Sequence, residues 1–430
     1  MNFDAPRIAQ VTGARLVDPS PGAPSRVVID SRAVQEGDLF VGLVGENVDG
    51  GRFAEGALEA GAWGVLVGPG HGVSRRALVA DDPLVALQRL ATAWRRELGA
   101  QVIAITGSVG KTTTKDLTAA LIAPHRRVHF SRANFNTEIG LPLELLAAPE
   151  GTEVVVLEMG MRGLGQIAEL AEIAEPDVGV ITNIGPVHLE LVGSLDGVAR
   201  AKGELLEALP DGGTAVVPAG EPRLEPMLRP GLRVVRFGDG DEVSLDGLEL
   251  PFASAHMRRN AQAAVAAARA VGVEPSGRVE VQLSALRGER VELPGGAIVI
   301  NDCYNANPLS MRAALDDLAA QTPTGRRVAV LGDMLELGPD EVALHREIGA
   351  HAAASGVDLL VTVGPLAAEM AGSFGGEATS VASAAEAALA LRPVLRRGDL
   401  VLVKASRGVG LEAVAEELSA PAPARDGAAG

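Results

Sequence analysis

Short runs of aliphatic and β-branched residues recur between residue 102 and residue 403, and stretches with apolar residues at helical spacing separate them. Such runs are typical of buried strands in parallel sheets, and the stretches between them are typical of helices that cover such sheets. The predicted strands span residues 102–105, 154–157, 178–181, 297–300, 328–331, 359–363 and 400–403. Strand followed by helix, repeated in this way, predicts an α/β protein with two doubly wound parallel sheets.

The first hundred residues predict a smaller mixed domain. Its strand-like runs are 27–29, 39–41 and 65–67, and its helical stretches are 53–60 and 83–98. The second of these helices has clear end signals, because Asp82 can cap it, Pro83 can begin it and Gly99 can end it. We therefore predict a first domain of residues 1–98.

A chain of 430 residues is too long for one hydrophobic core, and about three domains are expected. We predict the other two as residues 99–296 and 297–430. Within the second, the segment 214–253 is rich in glycine and proline and predicts irregular structure with short strands at best, between helices at 199–209 and 257–271. The last residues, 420–430, predict a loose tail.

The stretch 106–115 has the pattern G-x-x-G-K-T between a strand and a helix. Gly107 and Gly110 have no Cβ, so the backbone can approach an anion closely at the positive end of the helix. Lys111 would reach the outer phosphates, and the Thr112 hydroxyl would face Mg²⁺. The alternative is an ordinary strand-turn-helix corner. The predicted phosphate cradle comprises Gly107, Ser108, Val109, Gly110, Lys111, Thr112 and Thr113.

Charge and cysteine content narrow the class of protein. The formal net charge is −17, with 55 acidic and 38 basic residues. This balance argues against nucleic acid as the main partner, because phosphate neutralisation needs clustered Lys and Arg. A single cysteine, Cys303, excludes an intramolecular disulfide and fits a reducing cytosol. Since neither a signal-peptide pattern nor a run of about eighteen apolar residues is present, we expect a cytoplasmic chain without a membrane segment.

Polar residues follow two of the central strands. Glu158 ends the strand 154–157, and His188 comes soon after the strand 178–181. Ligands of open parallel sheets lie at the carboxyl ends of the strands, so one site can collect these two residues and Gly107. A carboxylate and an imidazole near phosphates indicate ligands of Mg²⁺. The alternatives are a solvated carboxylate and a satisfied loop histidine.

Other polar candidates also have ordinary alternatives. Lys202, on a helix beside Glu204, would by default form a surface ion pair of little energetic consequence. Asn260 can be a solvated helix position. The pair at 31–32 can be a turn, and Arg407 can cap a helix.

Taken together in this order, the motifs resemble the Mur ligase family, the ATP-dependent amide-bond ligases that build the peptidoglycan stem peptide. The resemblance covers roughly residues 25–415. It rests on the segments 106–115, 134–140, 158–163, 182–190, 201–204, 302–311 and 332–338, and on His345. The resemblance implies three domains: an N-terminal UDP-binding domain, a central ATPase domain and a C-terminal Rossmann-like domain.

The resemblance also implies roles for individual residues. The catalytic residues would be Lys111, Lys202 and His188. ATP would be held by the cradle together with Asn260, Asn305 and Asn307, the last two across the domain cleft. Mg²⁺ would be held by Thr112, Glu158, His188 and Lys202, the lysine as a carbamate. The substrates would be contacted by Ser31, Arg32, Asn136, Thr137, Asp333, Ser406 and Arg407.

The segment 302–308, Asp-Cys-Tyr-Asn-Ala-Asn-Pro, looks most like the family member that adds D-alanyl-D-alanine to a UDP-N-acetylmuramoyl-tripeptide. We expect a monomer that acts on these small molecules with ATP and Mg²⁺. Within the family, the alternatives are the ligase that adds the third stem-peptide residue and a folylpolyglutamate-type ligase. Outside it, the alternative is a regulatory P-loop ATPase, whose ATP turnover would not depend on an added carboxylate and amine together.

Overall fold

The computed structural model describes residues 1–132, 134–238, 243–252, 254–284 and 286–420. Except for Ala420, the tail predicted at 420–430 therefore lies outside the described residues. Three large sheets, each covered by helices, form the described chain. None of the described helices is both long and apolar enough to cross a membrane.

The first sheet has the order β1-β5-β4-β3-β2, with β1 antiparallel to β5 and the other neighbours parallel. Its strands are β1 (Arg15–Val17), β2 (Val27–Val28), β3 (Leu39–Val41), β4 (Gly64–Val67) and β5 (Ala77–Val79). The helices of this region are α1 (Ala5–Thr12), α2 (Ala54–Glu59) and α3 (Pro83–Leu98). Asp82 caps α3, and Gly99 ends it in the left-handed conformation, which confirms both predicted end signals.

The central sheet is fully parallel and has the order β11-β10-β9-β6-β8-β7. Its strands are β6 (Gln101–Thr106), β7 (Val128–Phe130), β8 (Val154–Glu158), β9 (Val178–Ile181), β10 (Thr214–Pro218) and β11 (Arg233–Phe237). The helices along this stretch of the chain, not all of them in the same compact unit, are α4 (Lys111–Ile122), α5 (Gly140–Ala147), α6 (Gln166–Ala174), α7 (Leu189–Val192), α8 (Leu195–Glu207) and α9 (Ala255–Ala270). A small parallel pair, β12 (Leu248–Glu249) and β13 (Gly277–Arg278), lies apart from it.

The segment 214–253 is more regular than its sequence indicates. The strand β10 is almost fully buried beside β9, and β11 extends the same sheet. Pro218 is the last residue of β10, where its missing N–H disturbs the hydrogen bonds between strands least. The prediction allows short strands here, and the structure adds that these two strands of 5 residues each belong to the central sheet.

The last sheet has the order β14-β15-β19-β16-β17-β18, parallel except for the β14–β15 pair. Its strands are β14 (Glu289–Glu292), β15 (Ile298–Asn301), β16 (Arg327–Gly332), β17 (Leu359–Val363), β18 (Glu377–Val381) and β19 (Leu400–Lys404). Its helices are α10 (Pro308–Ala320), α11 (Glu341–Ala354), α12 (Ala368–Phe374), α13 (Ala384–Leu391) and α14 (Ala413–Ser419). Aliphatic clusters fill both faces of this sheet.

The chain divides into two compact units. One comprises Met1–Ile184, Ala199–Pro251 and Arg259–Gln282, and the other comprises Gly185–Val198, Phe252–Arg258 and Leu283–Gly430. The first unit therefore contains both the first and the central sheet, and the second contains the last sheet.

The helix α3 joins the first and central sheets inside one unit, because it packs against α1, α5 and α6. Trp94 on α3 is buried, and its indole N–H donates to the Ala148 carbonyl at 3.0 Å. Arg95 donates to the carbonyls of Ala174 and Glu175 at 3.0 and 2.7 Å. The predicted boundary at residue 98 thus follows a helix whose side chains contact the central region extensively.

Candidate active site

The cradle lies between β6 and α4, and close contacts require both of its glycines. Gly107 has a φ of 150°, and a Cβ on it would lie 1.8 Å from Thr182 Oγ1. Gly110 has a φ of 83°, and a Cβ on it would lie 2.6 Å from Asn260 Oδ1. A side chain at either position would strain the backbone and displace a neighbour. The turn is therefore fitted tightly against Thr182 and Asn260.

Side chains that follow β9 hold the backbone of the cradle. Thr182 Oγ1 and Asn183 Nδ2 both donate to the Val109 carbonyl, at 2.6 and 2.8 Å. In return, the Val109 N–H donates to Asn183 Oδ1 at 2.9 Å. These contacts fix the geometry of the turn, so little ordering remains to be done when an anion binds.

The structure brings Thr112, Glu158 and Asn136 together beside the cradle. The Thr112 hydroxyl donates to Glu158 Oε2 at 2.7 Å, and Asn136 Nδ2 donates to Glu158 Oε1 at 2.8 Å. Both Thr112 and Glu158 are buried. Lys111 begins α4, and its Nζ donates to the Gly107 carbonyl at 3.0 Å, at the mouth of the turn.

The oxygen atoms of Thr112 and Glu158 are ligands of the type that fits Mg²⁺ bound with a nucleotide. Among the described residues there is no group of three or more His, Cys, Asp or Glu side chains that could hold a metal ion. Mg²⁺ is commonly bound by only one or two carboxylates, with waters and substrate phosphates completing its shell. One buried carboxylate beside a hydroxyl and a phosphate cradle matches that pattern.

Lys202 is buried on α8, with 2% of its surface exposed. Burial and, secondarily, the charge of Lys111 lower the pKa of Lys202 well below its ordinary value of 10.5. Glu204 has other partners than Lys202, because its carboxylate accepts from the backbone N–H groups of Gly165 and Ala168 at 2.7 and 3.1 Å. The alternative of a surface ion pair is therefore wrong for Lys202.

The four lysines of the chain share an unusual degree of burial. Lys115, Lys202 and Lys404 are at most 2% exposed, and Lys111 is half-buried. All other basic side chains, histidine apart, are arginines. Since lysine is rarely buried without a specific partner or function, the surroundings of these lysines bear on the site.

Lys115 was not predicted as part of the site. Its Nζ donates to the Ser131 carbonyl at 2.5 Å and pairs with Asp116 at 2.9 Å. Ser131 Oγ in turn accepts from the Glu158 N–H at 3.2 Å. Lys115 thereby ties α4 to the strand end that carries Glu158. The only sequence signal is its position three residues after Thr112, which places both on one helix face.

The predicted substrate contacts near the N-terminus lie in a turn after β2. Ser31 and Arg32 form a short 3₁₀ turn capped by Asp30. Arg32 is exposed and donates to Asp30 at 2.8 Å, and this hydrogen bond lowers the pKa of Asp30 to about 2. Thr137 Oγ1 accepts from the Gly140 N–H at 3.3 Å, at the start of α5.

The second unit contains His188, which precedes α7. Its Nδ1 lies 2.8 Å from Glu336 Oε2, a residue of the loop after β16. The structure therefore gives His188 a carboxylate partner within its own unit. The prediction that one site collects His188 with Gly107 and Glu158 stays a prediction.

Two predicted asparagines lie in the loop between β15 and α10. Asn307 caps α10, because its Oδ1 accepts from the Ser310 N–H at 2.9 Å and Ser310 Oγ accepts from the Asn307 N–H at 3.1 Å. Asn305 Oδ1 accepts from the Ala306 N–H at 2.8 Å. The amides therefore shape their own loop.

Ser406 connects the loops that follow β15 and β16. Its Oγ accepts from the Leu335 N–H at 2.9 Å and donates to the Ala306 carbonyl at 3.2 Å. The Ser406 N–H donates to the Asp333 carbonyl at 3.1 Å, so these two predicted residues do come together. Arg407 is exposed and pairs with Glu412 at 2.8 Å, just before α14.

No sequence pattern indicates three further contacts. Buried Lys404 donates to Asp302 Oδ2 at 2.6 Å and to the Asn305 carbonyl at 2.9 Å, which anchors the loop after β15. The guanidinium carbon of Arg287 lies 3.8 Å from the centre of the Tyr304 ring. Contacts between residues so far apart in sequence leave no spacing signal.

Three family models match the chain in succession. The model described as "Mur ligase family, catalytic domain" matches residues 25–91, "Mur ligase middle domain" matches residues 105–261, and "Mur ligase, glutamate ligase domain" matches residues 286–407. A relative from Bacillus subtilis (strain 168), named UDP-N-acetylmuramoyl-tripeptide–D-alanyl-D-alanine ligase, is 37% identical over 91% of this chain and 92% of its own length. This chain belongs to the Mur ligase family.

Solved structures similar to this Mur ligase cover nearly its whole length. A crystal structure of MurF from Acinetobacter baumannii has a TM-score of 0.87 and 28% identity, over 97% of this chain and 99% of that one. MurF ligase from Thermotoga maritima, solved in complex with ADP, has a TM-score of 0.81 and 28% identity, over 92% and 97%. These likenesses confirm the predicted α/β fold of a Mur ligase, with a central parallel sheet and a Rossmann-like C-terminal domain.

Proposed function

We propose that this chain is an ATP-dependent ligase that joins D-alanyl-D-alanine to UDP-N-acetylmuramoyl-tripeptide in peptidoglycan precursor synthesis. The observation that carries the proposal is the cradle, in which Lys111 and the Thr112–Glu158 pair border a preorganised turn. It occurs in a chain that matches a relative named for this activity over 91% of its length. The motif at 302–308 supports the dipeptide as the second substrate.

The reaction needs an activated carboxylate. ATP would transfer its γ-phosphoryl group to the tripeptide carboxylate, giving an acyl phosphate and ADP. The amine of the dipeptide would then attack the acyl carbon and release phosphate. Lys111 would neutralise charge on the transferring group, and the N–H groups at the start of α4 would bind the phosphates. A dry site around the acyl phosphate would protect it from hydrolysis.

Mg²⁺ is part of the proposal. Thr112 and Glu158 would hold one ion, and His188 with a carbamate on Lys202 would hold a second. The ions would neutralise phosphate charge. The remaining predicted contacts also stay proposals: Asn260, Asn305 and Asn307 with ATP, and Ser31, Arg32, Asn136, Thr137, Asp333, Ser406 and Arg407 with the other substrates. The closeness of Asn260 to the cradle supports its proposed contact with the nucleoside of ATP, since a Cβ on Gly110 would lie 2.6 Å from Asn260 Oδ1.

The proposal extends to organisation and place of action. We place the domain boundaries at 1–98, 99–296 and 297–430, and we expect a cytoplasmic monomer. The substrates would be small molecules, and neither nucleic acid nor a membrane would take part.

A phosphate-release assay tests the proposal. Purified protein with ATP and Mg²⁺ should release phosphate only when UDP-N-acetylmuramoyl-tripeptide and D-alanyl-D-alanine are both present. Turnover with a single amino acid in place of the dipeptide would instead indicate the third-residue ligase or a folylpolyglutamate-type enzyme. Turnover independent of both substrates would indicate a regulatory ATPase.

A further inference from the structure

The loop after β16, residues 332–338, presents one carboxylate to His188. Glu336 Oε2 lies 2.8 Å from His188 Nδ1, and both residues belong to the same compact unit. An ionised carboxylate can only accept, so Nδ1 carries the proton of this hydrogen bond. In a neutral imidazole the lone pair then belongs to Nε2.

The backbone holds both partners in an unusual conformation. His188 has a φ of 53° and Glu336 a φ of 63°, a region that residues other than glycine seldom adopt. Such conformations persist where surrounding contacts enforce them, and they concentrate at functional sites. The contact between these two residues therefore depends on a backbone conformation that is energetically unfavourable at both of them.

The loop that carries Glu336 is held by hydrogen bonds to other residues of the second compact unit. The Met334 N–H donates to His345 Nε2 at 2.9 Å, and the Leu335 N–H donates to Ser406 Oγ at 2.9 Å. Met334 and Leu337 are buried on either side. Because its neighbours are fixed in this way, the Glu336 side chain starts from a defined backbone position.

We propose that Glu336 is a positioning residue, which fixes the ring of His188 in the tautomer whose Nε2 can coordinate a divalent cation. The inference rests on the proposed function, in which His188 is a metal ligand. Histidines that bind metals usually donate their other ring N–H to a carboxylate or carbonyl, and loss of that partner typically weakens metal affinity ten- to a hundredfold.

The competing explanation is a surface ion pair. Glu336 is half-exposed and His188 is about one quarter exposed, and exposed pairs contribute little to stability. A pair of that kind would not control the tautomer or the metal affinity. These two quantities therefore separate the explanations.

Metal affinity is measured on the full chain with Mn²⁺, by electron paramagnetic resonance in the presence of a non-hydrolysable ATP analogue. Glu336→Ala should bind Mn²⁺ about tenfold more weakly, whereas Glu336→Gln should lose less, because an amide oxygen still accepts. Glu190→Gln is the matched control, since it removes the same charge from the first turn of α7. It should bind Mn²⁺ like the unchanged protein.

The tautomer is measured by ¹⁵N NMR of protein labelled in its seven histidines, with His188→Gln identifying the signal. The Nδ1–H form is expected for His188, and Glu336→Ala should remove that preference. A dominant Nε2–H form in the unchanged protein would overturn the inference.

The two proposals fail in different ways. If His188→Ala binds Mn²⁺ as tightly as the unchanged protein, the ligand role of His188 in the proposed function is lost. If His188→Ala weakens Mn²⁺ binding and Glu336→Ala does not, His188 remains a ligand and the positioning role of Glu336 is refuted.

Discussion

At the scale of single residues, the burial of Lys202 has the largest chemical consequence. A lowered pKa leaves more of its amine neutral near pH 7. A neutral amine can attack CO₂ to give a carbamate and a proton, which places an anionic oxygen donor beside Lys111 where an unmodified lysine could only be neutral or cationic. That product would remove the like-charge repulsion between the two lysines and provide a ligand of the type that Mg²⁺ prefers.

The proposed carbamate makes Lys202→Ala a diagnostic variant. Its kcat for phosphate release should fall severely, and a short-chain carboxylic acid entering the cavity should restore part of it. Arg200→Ala is the control, because Arg200 is exposed on the same helix, and its activity should remain near normal. Full activity of Lys202→Ala without added acid would remove this lysine from the mechanism.

Stability gives a second test at the same residue. The folded-state pKa of unmodified Lys202 lies below the unfolded value of 10.5, so between these values the unfolded chain binds more protons. Unmodified Lys202 therefore destabilises the fold at neutral pH, and the cost shrinks as the pH rises toward 10.5.

In CO₂-free buffer, Lys202→Met should accordingly raise the Tm at pH 7 and raise it less at pH 9, while phosphate release is lost. Thermal unfolding followed by circular dichroism measures both shifts. A lower Tm for Lys202→Met at pH 7 would contradict the expected cost of the buried amine.

At the scale of elements, the cradle depends on its turn more than on any one side chain. Gly110→Ala would place a methyl group 2.6 Å from Asn260 Oδ1 at a φ of 83°. We expect this change to weaken binding of a non-hydrolysable ATP analogue at least tenfold, measured by calorimetry, with a smaller effect on Tm. The reason is that the strain falls on the turn rather than on the sheet.

Gly56→Ala provides the matched control for that experiment. Gly56 lies within α2, and a Cβ on it would meet no atom within 4 Å. This variant should keep its nucleotide affinity and gain slightly in stability, because alanine is the better helix former. Equal affinities for the Gly110 and Gly56 variants would show that the turn does not bind the nucleotide.

Local signals explain which elements the sequence predicts well. The helix α3 begins after Asp82, whose side chain caps it, and ends at Gly99, which adopts the left-handed conformation. Both effects act within one turn of the helix. The strands β10 and β11 and the burial of Lys202 depend instead on neighbours distant in sequence. The same distinction holds for the candidate site. The spacing of Gly107, Gly110 and Lys111 predicts the cradle from sequence, whereas the partners of Lys115 and Glu336 are found only in the folded chain.

At the scale of the whole molecule, the first hundred residues depend on the rest of their unit. Residues 1–98 contain a complete small sheet, but α3 packs its apolar side chains and Trp94 against α5 and α6 as well as α1. An isolated fragment of residues 1–98 should therefore expose this surface. We expect it to bind the dye ANS and to unfold without a cooperative transition.

Circular dichroism and ANS fluorescence of the fragment, compared with the full chain, measure this dependence. Cooperative unfolding of residues 1–98 without ANS binding would show that the fragment folds on its own. It would also support residues 1–98 as a domain that folds independently of the rest of the chain.

The scarcity of lysine gives the molecule a chemical property of its own. Three of its four ε-amines are buried. A reagent that acylates amines therefore finds few targets on the surface, of which the half-buried Lys111 is the one at the cradle. Acylation of this chain, followed by mass spectrometry, would therefore report occupancy of the proposed phosphate site through the one ε-amine that is not buried.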